Sequence, residues 1–332
     1  MSTNTLTAPT ATRKPTSVKT LKKGFSRVVA PYLMYGIFLL LIIFFALQSP
    51  VFFTASNFMN IGQQTALVTI VAVGMTFVII SGEIDLSVGA SLALSGVAAA
   101  LAMKETGGSL WVGIVVGLSV GAIIGLINGL VTTGLGIPSF LVTLAVLGIA
   151  RGLALMISEG QPVLIANVDY WNIFNSARVF GIPVPMLWTI LVLLVGVYLL
   201  HVSAYGRRVY AVGGNRQAAR YSGIRVNRIK IWAFVLTGAA AGFAGLIWTA
   251  RAQAARPDVG SGMELDVIAA VILGGTNLFG GKGMILGTLV GSLMIGVVNN
   301  GLTLMGVSSS AQMMVKGGII IVAVALSTLR RR

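Results

Sequence analysis

Long, continuous apolar segments dominate this 332-residue chain and constrain its fold more than any motif does. A helix needs roughly 20 apolar residues to cross about 30 Å of hydrocarbon. Segments of this kind lie at 29–48, 63–80, 88–103, 110–133, 137–157, 186–203, 231–250, 266–280, 284–304 and 311–329. Because the apolar runs are continuous and do not alternate, helices are favoured over a β-barrel. We therefore predict an all-α, polytopic membrane protein with about ten transmembrane helices.

Composition agrees with a membrane protein and argues against an enzyme. Hydrophobic residues make up 56% of the chain, charged residues only 9%, and the mean hydropathy is +0.94. The chain has no cysteine and one histidine, His201, which do not suffice for a typical zinc site or a Cys–His nucleophile. The stretch "GGTNLFGGKGM" is not a phosphate loop, because Thr276 and Gly283 stand where Gly and Ser or Thr are required. We predict no catalytic activity, no metal and no cofactor.

The distribution of charge predicts the orientation in the membrane. Ten crossings place both termini on one side, and most of the 23 lysines and arginines fall on that side, in 1–28, in 204–230 and at the C-terminal end. The positive-inside rule makes this side cytoplasmic. The net charge of +15 then reflects topology, and no nucleic-acid partner is expected. We predict a disordered basic tail, 1–28, and one transmembrane domain, 29–332.

Two similar stretches predict an internal repeat. "GEIDLSVGASLALSG" begins at Gly82 and "MELDVIAAVILGG" begins at Met263, each with Glu, an apolar residue, Asp and then small residues. The predicted topology places the first pair of acids on the inner side and the second pair on the outer side. Helices 2–5 and 7–10 would then form an inverted repeat, as in many transporters. A chance match of so few residues is the alternative.

The polar stretch "GRRVYAVGGNRQAARYSGIRVNRIK" at 206–230 carries seven cations and no acid. Within it, "NRQAARYSGI" predicts a short helix that Asn215 caps, that Ala218 and Ala219 favour, and that Gly223 ends. Such a helix could dock into a groove on another protein. Alternatively, the cations only hold the loop inside and contact anionic lipid. The residue types alone leave both interpretations open.

The acidic residues bear on the energy source. All eight lie at segment ends or in loops, whereas an ion-coupled carrier usually keeps an acid near the middle of the membrane. With neither nucleotide chemistry nor ion coupling indicated in this chain, a partner has to supply the energy.

Four motifs carry a family resemblance: "GMTFVIISGEIDLSVG" (74–89), "VYAVGGNRQAARYSGIRVNRIKI" (209–231), "GMELDVIAAVILGGTNLFGGKG" (262–283) and "VNNGLTLMGVSSSAQMMVKG" (298–317). In this order they resemble the permease subunits of bacterial monosaccharide ABC importers, especially ribose-type permeases, from about residue 53 to 316. Members often have glycine at the position of Glu83, so no function is assigned to Glu83.

The resemblance implies the fold of the vitamin-B12-type importers, a location in the bacterial inner membrane, and cytoplasmic termini. It also implies a second permease copy in a homodimer, cytoplasmic ABC ATPase subunits, a periplasmic sugar-binding protein and surrounding lipid. Within 213–224, the residues that match the family's ATPase-coupling helix are Gly213, Gly214, Asn215, Ala218, Ala219, Arg220, Gly223 and Ile224. Ribose is the first choice of cargo; another pentose, a hexose, a nucleoside or a furanosyl signal stays open, with an ion-coupled sugar carrier as the rival class.

Polar residues within or just before apolar segments are the candidates for a sugar pathway, since sugar hydroxyls need amides and hydroxyls as partners. They are Asn60, Gln63, Gln64, Asp85, Ser87, Asn128, Asn299 and Asn300. For the amides, hydrogen bonds between helices are the alternative. For Asp85 and Ser87, the alternative is an N-cap of the third segment.

Two cations inside segments, Arg151 and Lys316, need partners in the membrane. We expect Glu264 or Asp266 to pair with Lys316, as a structural clasp. The longest outer loop, 158–184, is expected to carry a surface helix with Tyr170 and Trp171. That helix would support the sugar-binding protein or anchor the loop at the headgroups.

Overall fold

The computed structural model describes residues 35–329. The chain divides into two compact units, Met1–Leu40 and Leu41–Arg332. Of the first unit only residues 35–40 are described, and they are helical. The predicted basic tail, 1–28, and the cations at 330–332 lie outside the described residues.

Helices make up nearly all regular structure in the described part of the chain. Their bounds are α1 (Tyr35–Gln48), α2 (Ala55–Ile80), α3 (Val88–Glu105), α4 (Leu110–Leu135), α5 (Ser139–Ile157), α6 (Val168–Trp171), α7 (Val184–Val197), α8 (Ala204–Gly214), α9 (Arg216–Tyr221), α10 (Val226–Ala252), α11 (Met263–Leu273), α12 (Ile285–Leu304) and α13 (Ser309–Leu329). Short π-helical turns follow α6 at Asn172–Ser176 and α7 at Tyr198–Val202. The predicted all-α class is therefore confirmed.

Seven helices of the described residues are long and apolar enough to cross a membrane: α2, α3, α4, α5, α7 with its π-helical extension, α10 and α12. The predicted count of about ten is not confirmed. The described part of α1 is shorter than a span, α11 has 11 residues, and α13 is not among the seven. Multiple membrane crossings nevertheless follow from these seven helices alone.

Two predicted helix boundaries were wrong. The second helix begins at Ala55, not 63, because Thr54 accepts a hydrogen bond from the Asn57 N–H and caps it. The helix predicted at 266–280 is α11, which begins at Met263 and ends at Leu273. Gly275 follows with a φ of +86°, which ends the helix, and residues 276–283 form a turn. Polar residues before residue 63 made the predicted start of α2 too late. Glycines after Leu273 end α11 earlier than predicted.

Glycines bring α4 and α10 into backbone contact. Five buried glycines recur every four residues along α4, at Gly113, Gly117, Gly121, Gly125 and Gly129. Gly238 and Gly242 of α10 face Gly121; a Cβ added to Gly121 would overlap the Gly238 carbonyl and lie 2.9 Å from the Gly242 Cα. Small residues at this spacing form one stripe of a helix and allow such close packing in a membrane.

Helix α2 is the most buried of the seven candidate spans, with 83% of its apolar window inside the protein. It packs against α7, α10, α11 and α12. A helix that is apolar on all sides can be enclosed in this way. Its C-terminal end is tied to the α11–α12 turn, because the Gly281 N–H donates to the Ile80 carbonyl (2.9 Å). The C-terminal end of α8 meets the same end of α2, because a Cβ added to Gly213 would overlap the Ile80 carbonyl.

The longest loop, 158–184, contains short elements. Strand β1 (Val163–Leu164) pairs antiparallel with β4 (Ala254–Ala255), and β2 (Arg178–Val179) pairs antiparallel with β3 (Ile182–Pro183). The predicted helix is present as α6 and its π-helical continuation. However, Tyr170 is fully buried, with its hydroxyl 2.6 Å from Thr249 Oγ1 and 2.9 Å from the Leu246 carbonyl. The expected surface role of Tyr170 was wrong, since this side chain fastens the loop to α10.

Candidate functional site: the polar loop and the interior polar clusters

The short helix expected within the basic loop is present as α9. The Asn215 side chain accepts hydrogen bonds from the Gln217 and Ala218 N–H groups, each at 3.0 Å. Gly223, with a φ of +78°, ends the helix, and the Ile224 N–H donates to the Ala219 carbonyl. Such local caps satisfy backbone groups without help from distant residues. The local structure of this element therefore agrees with the sequence-based prediction.

The predicted coupling residues do not form one surface. Gly213 and Gly214 are the last residues of α8, and a Cβ on Gly213 would overlap the Ile80 carbonyl. Ala219 is 4% exposed, so its methyl group packs inward. Ala218, Arg220 and the neighbouring Tyr221, which is 92% exposed, point outward. The set thus divides into residues that seat the helix and residues that are available to a partner.

Two tyrosines of α8 hold this loop against the transmembrane helices. The Tyr205 hydroxyl donates to the Ile229 carbonyl of α10 (3.1 Å), and the Tyr210 hydroxyl donates to the Gly283 carbonyl before α12 (2.8 Å). Burial raises the pKa of the Tyr210 hydroxyl above its ordinary value. His201 lies beside it, with Nε2 3.4 Å from the Ile285 N–H. These contacts give His201 a structural position at the start of α12.

An ion pair that the sequence did not suggest lies beneath α9. The Lys230 ammonium donates a hydrogen bond to the Glu83 carboxylate, and their side chains are 6% and 13% exposed. The two residues are far apart in sequence, so no local pattern signals their contact. Lys230 was counted with the loop cations and Glu83 was given no role; the structure makes them partners at the junction of α10 with the α2–α3 connection.

The α2–α3 connection runs through the interior without helical hydrogen bonds. The Ile84 N–H donates to Ser139 Oγ and the Leu86 N–H donates to Thr143 Oγ1, both at 3.0 Å. Residues 84 and 86 point their N–H groups the same way in an extended chain, and hydroxyls four residues apart on α5 match them. Non-helical backbone inside a membrane protein persists only with such partners.

Asp85, Ser87 and Asn128 form one enclosed cluster. Asp85 Oδ1 accepts hydrogen bonds from the Ser87 N–H (2.8 Å) and the Ser87 hydroxyl (2.7 Å), and Asn128 Nδ2 lies 2.8 Å from Ser87 Oγ. All three residues are at most 1% exposed. Ser87 is the N-cap residue of α3 but makes no side-chain cap. The expected capping was therefore incorrect in detail: Asp85 binds Ser87, and both join α3 to α4.

The helices that follow the two repeat motifs begin next to each other. Gly89 at the start of α3 packs on Gly260, and a Cβ on Gly89 would lie 2.9 Å from Glu264 Oε2. The segment before α11 returns from the end of α10 to reach α3. Arg151 of α5 holds this segment by donating to the Pro257 and Val259 carbonyls. The starts of α3 and α11 are therefore adjacent, and the placement of the two pairs of acids on opposite sides of the membrane stays a prediction.

The segment before α11 also contains an exposed ion pair between Arg256 and Asp258 (2.8 Å). The hydrogen bond from Arg256 lowers the pKa of the Asp258 carboxyl below its ordinary value. Exposed pairs of this kind contribute little stability.

Lys316 of α13 lies 2.8 Å from Asp266 Oδ2, and their side chains are 25% and 12% exposed. This is one of the two pairings that the sequence suggested for Lys316. Glu264 lies instead beside Gly89. The second oxygen of Asp266, Oδ1, and the side-chain oxygen of Asn299 are buried and accept no hydrogen bond from any residue that the structure describes. The pairing joins α11 to α13 and leaves acceptors free beside it.

The amide candidates have different environments. Asn300 and Asn57 form a reciprocal pair, with each amide nitrogen donating to the other's oxygen at 3.0 and 2.9 Å. This is an interhelical bond of the kind given as the alternative for Asn300. Sequence reasoning missed Asn57 because the predicted helix began six residues later. Asn60 and Gln64 are exposed and Gln63 is half-buried on α2.

Comparison with known proteins places these features in a family. A model of the branched-chain amino acid transport system permease component matches residues 57–324. The chain is 45% identical to the ribose import permease protein of Bacillus subtilis (strain 168) over 91% of its length and 93% of that protein. Identity to the Escherichia coli (strain K12) ribose import permease protein is 44%, covering 88% of this chain and 92% of that protein. Identity to the D-allose transport system permease protein of the same Escherichia coli strain is 40%, covering 89% of this chain and 91% of that protein. No solved structure matches the chain.

Proposed function

The chain belongs to the permease-component family of bacterial import systems, and on that premise we propose that it carries a monosaccharide, with ribose as the first choice. The observation that supports this cargo is the 45% identity to a ribose import permease across nearly the whole of both chains. The family model is named for amino acids, but the similar proteins of known cargo are named for ribose and allose. Other pentoses, hexoses, nucleosides and furanosyl signals remain the alternatives within the class.

In this role the chain is the membrane-spanning subunit, and ATP hydrolysis resides on a separate ABC ATPase subunit. A periplasmic binding protein delivers the sugar. Uptake into proteoliposomes tests the assignment: the permease, its ATPase and its binding protein should import labelled ribose only with internal ATP. Uptake by the permease alone under a sodium or proton gradient would assign it to the ion-coupled carriers. ATP-driven import of allose or arabinose without ribose would retain the class and change the cargo.

We further propose that α9 is the element through which the ATPase acts. Helix α9 presents Ala218, Arg220 and Tyr221 to solvent, while the buried methyl of Ala219 and the positive φ of Gly223 fix its position. Behind it, Gly213 contacts the end of α2 through Ile80. A displacement of α9 is therefore passed to the central helix by packed backbone, without a flexible linker. If the cations only contacted lipid, α9 would not need buried residues that fix its position.

The pathway is proposed to follow α2, where Asn60, Gln63 and Gln64 remain at least partly exposed. Amides are costly against lipid, so they favour an interface with water or with another protein. A second permease copy facing α2 would cover them and form a sugar pathway between the two subunits. Asp85 and Ser87 bond to each other, the Asn128 amide nitrogen donates to Ser87, and Asn300 bonds to Asn57, so we assign these four residues to structural contacts, although Asn128 Oδ1 has no partner among the described residues. Asn299, with its free oxygen, stays a pathway candidate.

The proposed orientation places both termini, α9 and 204–230 in the cytoplasm and 158–184 in the periplasm, where the binding protein would dock. The chain has no cysteine, so single cysteines can report the side directly. Ser222→Cys in intact cells should resist a membrane-impermeant maleimide, whereas Gln161→Cys should react. The reverse pattern would overturn the orientation and with it the assignment of α9 to the ATPase.

A further inference from the structure

A polar cavity of about 270 Å³ lies beneath α9, between this helix, the end of α4 and the start of α10. Its lining includes Glu83, Lys230, Arg216, Thr132 and Thr133. Water takes about 30 Å³ per molecule in the liquid, so the volume corresponds to about nine waters. The space suffices for a tetrahedral oxyanion and part of a group attached to it.

The hydrogen-bonding groups of this cavity are unbalanced. An ammonium has three donors, and Lys230 uses one on Glu83, the one hydrogen bond of its side chain among the described residues. Arg216, which is exposed at the surface, brings a guanidinium with five further donors, and within residues 35–329 it forms no ion pair or side-chain hydrogen bond. Glu83 is the one acid in the lining, against two cations. The cavity therefore has an excess of donors and of positive charge.

Thr132 adds an independent indication. Its residue is 6% exposed, yet its hydroxyl has no hydrogen-bond partner among the described residues. The adjacent Thr133 hydroxyl, by contrast, donates to the Gly129 carbonyl of its own helix at 2.8 Å. A buried hydroxyl without a partner costs about 1–3 kcal/mol. Because Thr132 lines the cavity, a ligand there can accept the hydrogen bond that the protein does not provide.

We propose that this cavity binds a phosphate group, as inorganic phosphate or as the phosphate of an ester or lipid headgroup. Arg216 offers paired N–H groups that match two phosphate oxygens, Lys230 offers its remaining N–H groups, and Thr132 offers its hydroxyl. The Glu83 carboxylate is neutralised by Lys230 and holds the ammonium at the cavity wall. A cation would face two like charges, and a neutral polyol would leave the excess charge unmatched.

Occupancy has a mechanical consequence. Arg216 belongs to α9, whereas Thr132 belongs to α4 and Lys230 to α10. One bound phosphate thus connects the exposed helix to two transmembrane helices and stabilises the position of α9 seen here. The site needs neither the sugar nor the ATPase, so it can exist whether or not the proposed cargo is right.

The test uses the full-length protein purified in a neutral detergent and stripped of lipid. Inorganic phosphate should raise the unfolding temperature saturably, relative to chloride at equal ionic strength. Arg216→Ala and Thr132→Val should each weaken the apparent affinity, by about tenfold or more for the arginine. The matched control is Arg220→Ala, since Arg220 is exposed on the same helix but does not line the cavity.

The absence of a saturable shift in the wild-type protein would overturn the proposal, as would equal affinities in Arg216→Ala and Arg220→Ala. Phosphate binding measured in nanodiscs of two lipid compositions distinguishes a lipid headgroup from a soluble phosphate. If a lipid headgroup occupies the site, phosphatidylglycerol nanodiscs should weaken the binding of inorganic phosphate, and Arg216→Ala should remove the difference from phosphatidylcholine nanodiscs. If the ligand is a soluble phosphate, both nanodiscs should show the same affinity.

Discussion

Lys230 and Glu83 form a buried ion pair although 147 positions separate them in the sequence. Lys230 lies in the second turn of α10, and Glu83 lies in the non-helical connection between α2 and α3. The pair joins the helix that follows the basic loop to the chain segment that leads into the Asp85 cluster. The ion pair thereby connects the basic loop to the interior of the protein. Neither charge has another partner among the described residues.

Removal of one member of this pair should destabilise the protein strongly. Lys230→Met leaves Glu83 buried and unpaired, which costs about 3–5 kcal/mol. We expect a marked fall in the unfolding temperature in detergent and substantial recovery in the double variant Lys230→Met, Glu83→Gln. Arg228→Met, an exposed cation on the same helix, is the matched control and should unfold like the wild type. A double variant no more stable than Lys230→Met would contradict the pairing.

The glycine contact between α4 and α10 should tolerate no methyl group. Gly121→Ala forces the helices apart, because the new Cβ meets the Gly238 carbonyl, and overpacking of this kind costs about 1–3 kcal/mol. Gly134→Ala on the same helix meets no atom within 4 Å and should be neutral or slightly stabilising. Thermal unfolding of the two variants side by side provides the measurement. Equal unfolding temperatures would exclude close packing at this crossing.

The reciprocal amide pair of α2 and α12 should behave as one unit. Asn57→Ala and Asn300→Ala should each lower stability by about 0.6–2 kcal/mol, the range for hydrogen bonds between membrane helices. Since either change removes both bonds, the double variant should be little worse than each single one. Asn60→Ala, at an exposed position of α2, is the control for loss of an amide. Strictly additive effects in this double-mutant cycle would show that the two amides act separately.

The pair between Lys316 and Asp266 is expected to act as a clasp between α13 and α11. Lys316→Glu and Asp266→Lys should each impair uptake, because each places two like charges within contact distance. The charge swap, with both changes, should restore part of the lost transport in the same vesicle assay. If the swap recovers none of it, Asp266 has a role that depends on its own carboxylate, such as accepting a hydrogen bond from a hydroxyl of the cargo.

The exposed side of α9 should bind the ATPase subunit. Tyr221→Ala should weaken co-purification with the ATPase without a change in the unfolding temperature, since the ring is 92% exposed. Phe180→Ala, at a fully exposed aromatic of the 158–184 loop, is the control and should leave co-purification intact. Ala219→Asp is a different test: the buried methyl seats α9, so both stability and association should fall. Normal ATPase binding by Tyr221→Ala would place the contact elsewhere.

Local features of this protein could be predicted because their causes lie within a few residues. Asn215 caps the N-terminal end of α9, and Gly223 ends the helix with a positive φ. Both residue types predict these ends from the sequence alone. The second helix shows the opposite case. Its first turns contain Asn57 and Asn60, which lie before the predicted start at residue 63, and Asn57 is tolerated inside the protein because it pairs with Asn300 of α12.

The sequence by itself determined that the chain crosses a membrane several times, because a long apolar run cannot remain in water and its backbone must form helices in lipid. Only the tertiary structure decided which sides of those helices face each other. Helices such as α2 carry apolar residues on every side, so the hydropathy pattern does not show which side is buried, as it does in a water-soluble protein. Three contacts arise where segments distant in sequence approach each other: Gly121 with Gly238, Gly89 with Gly260, and Lys230 with Glu83. The local sequence pattern contains no information about which distant segments are close in space.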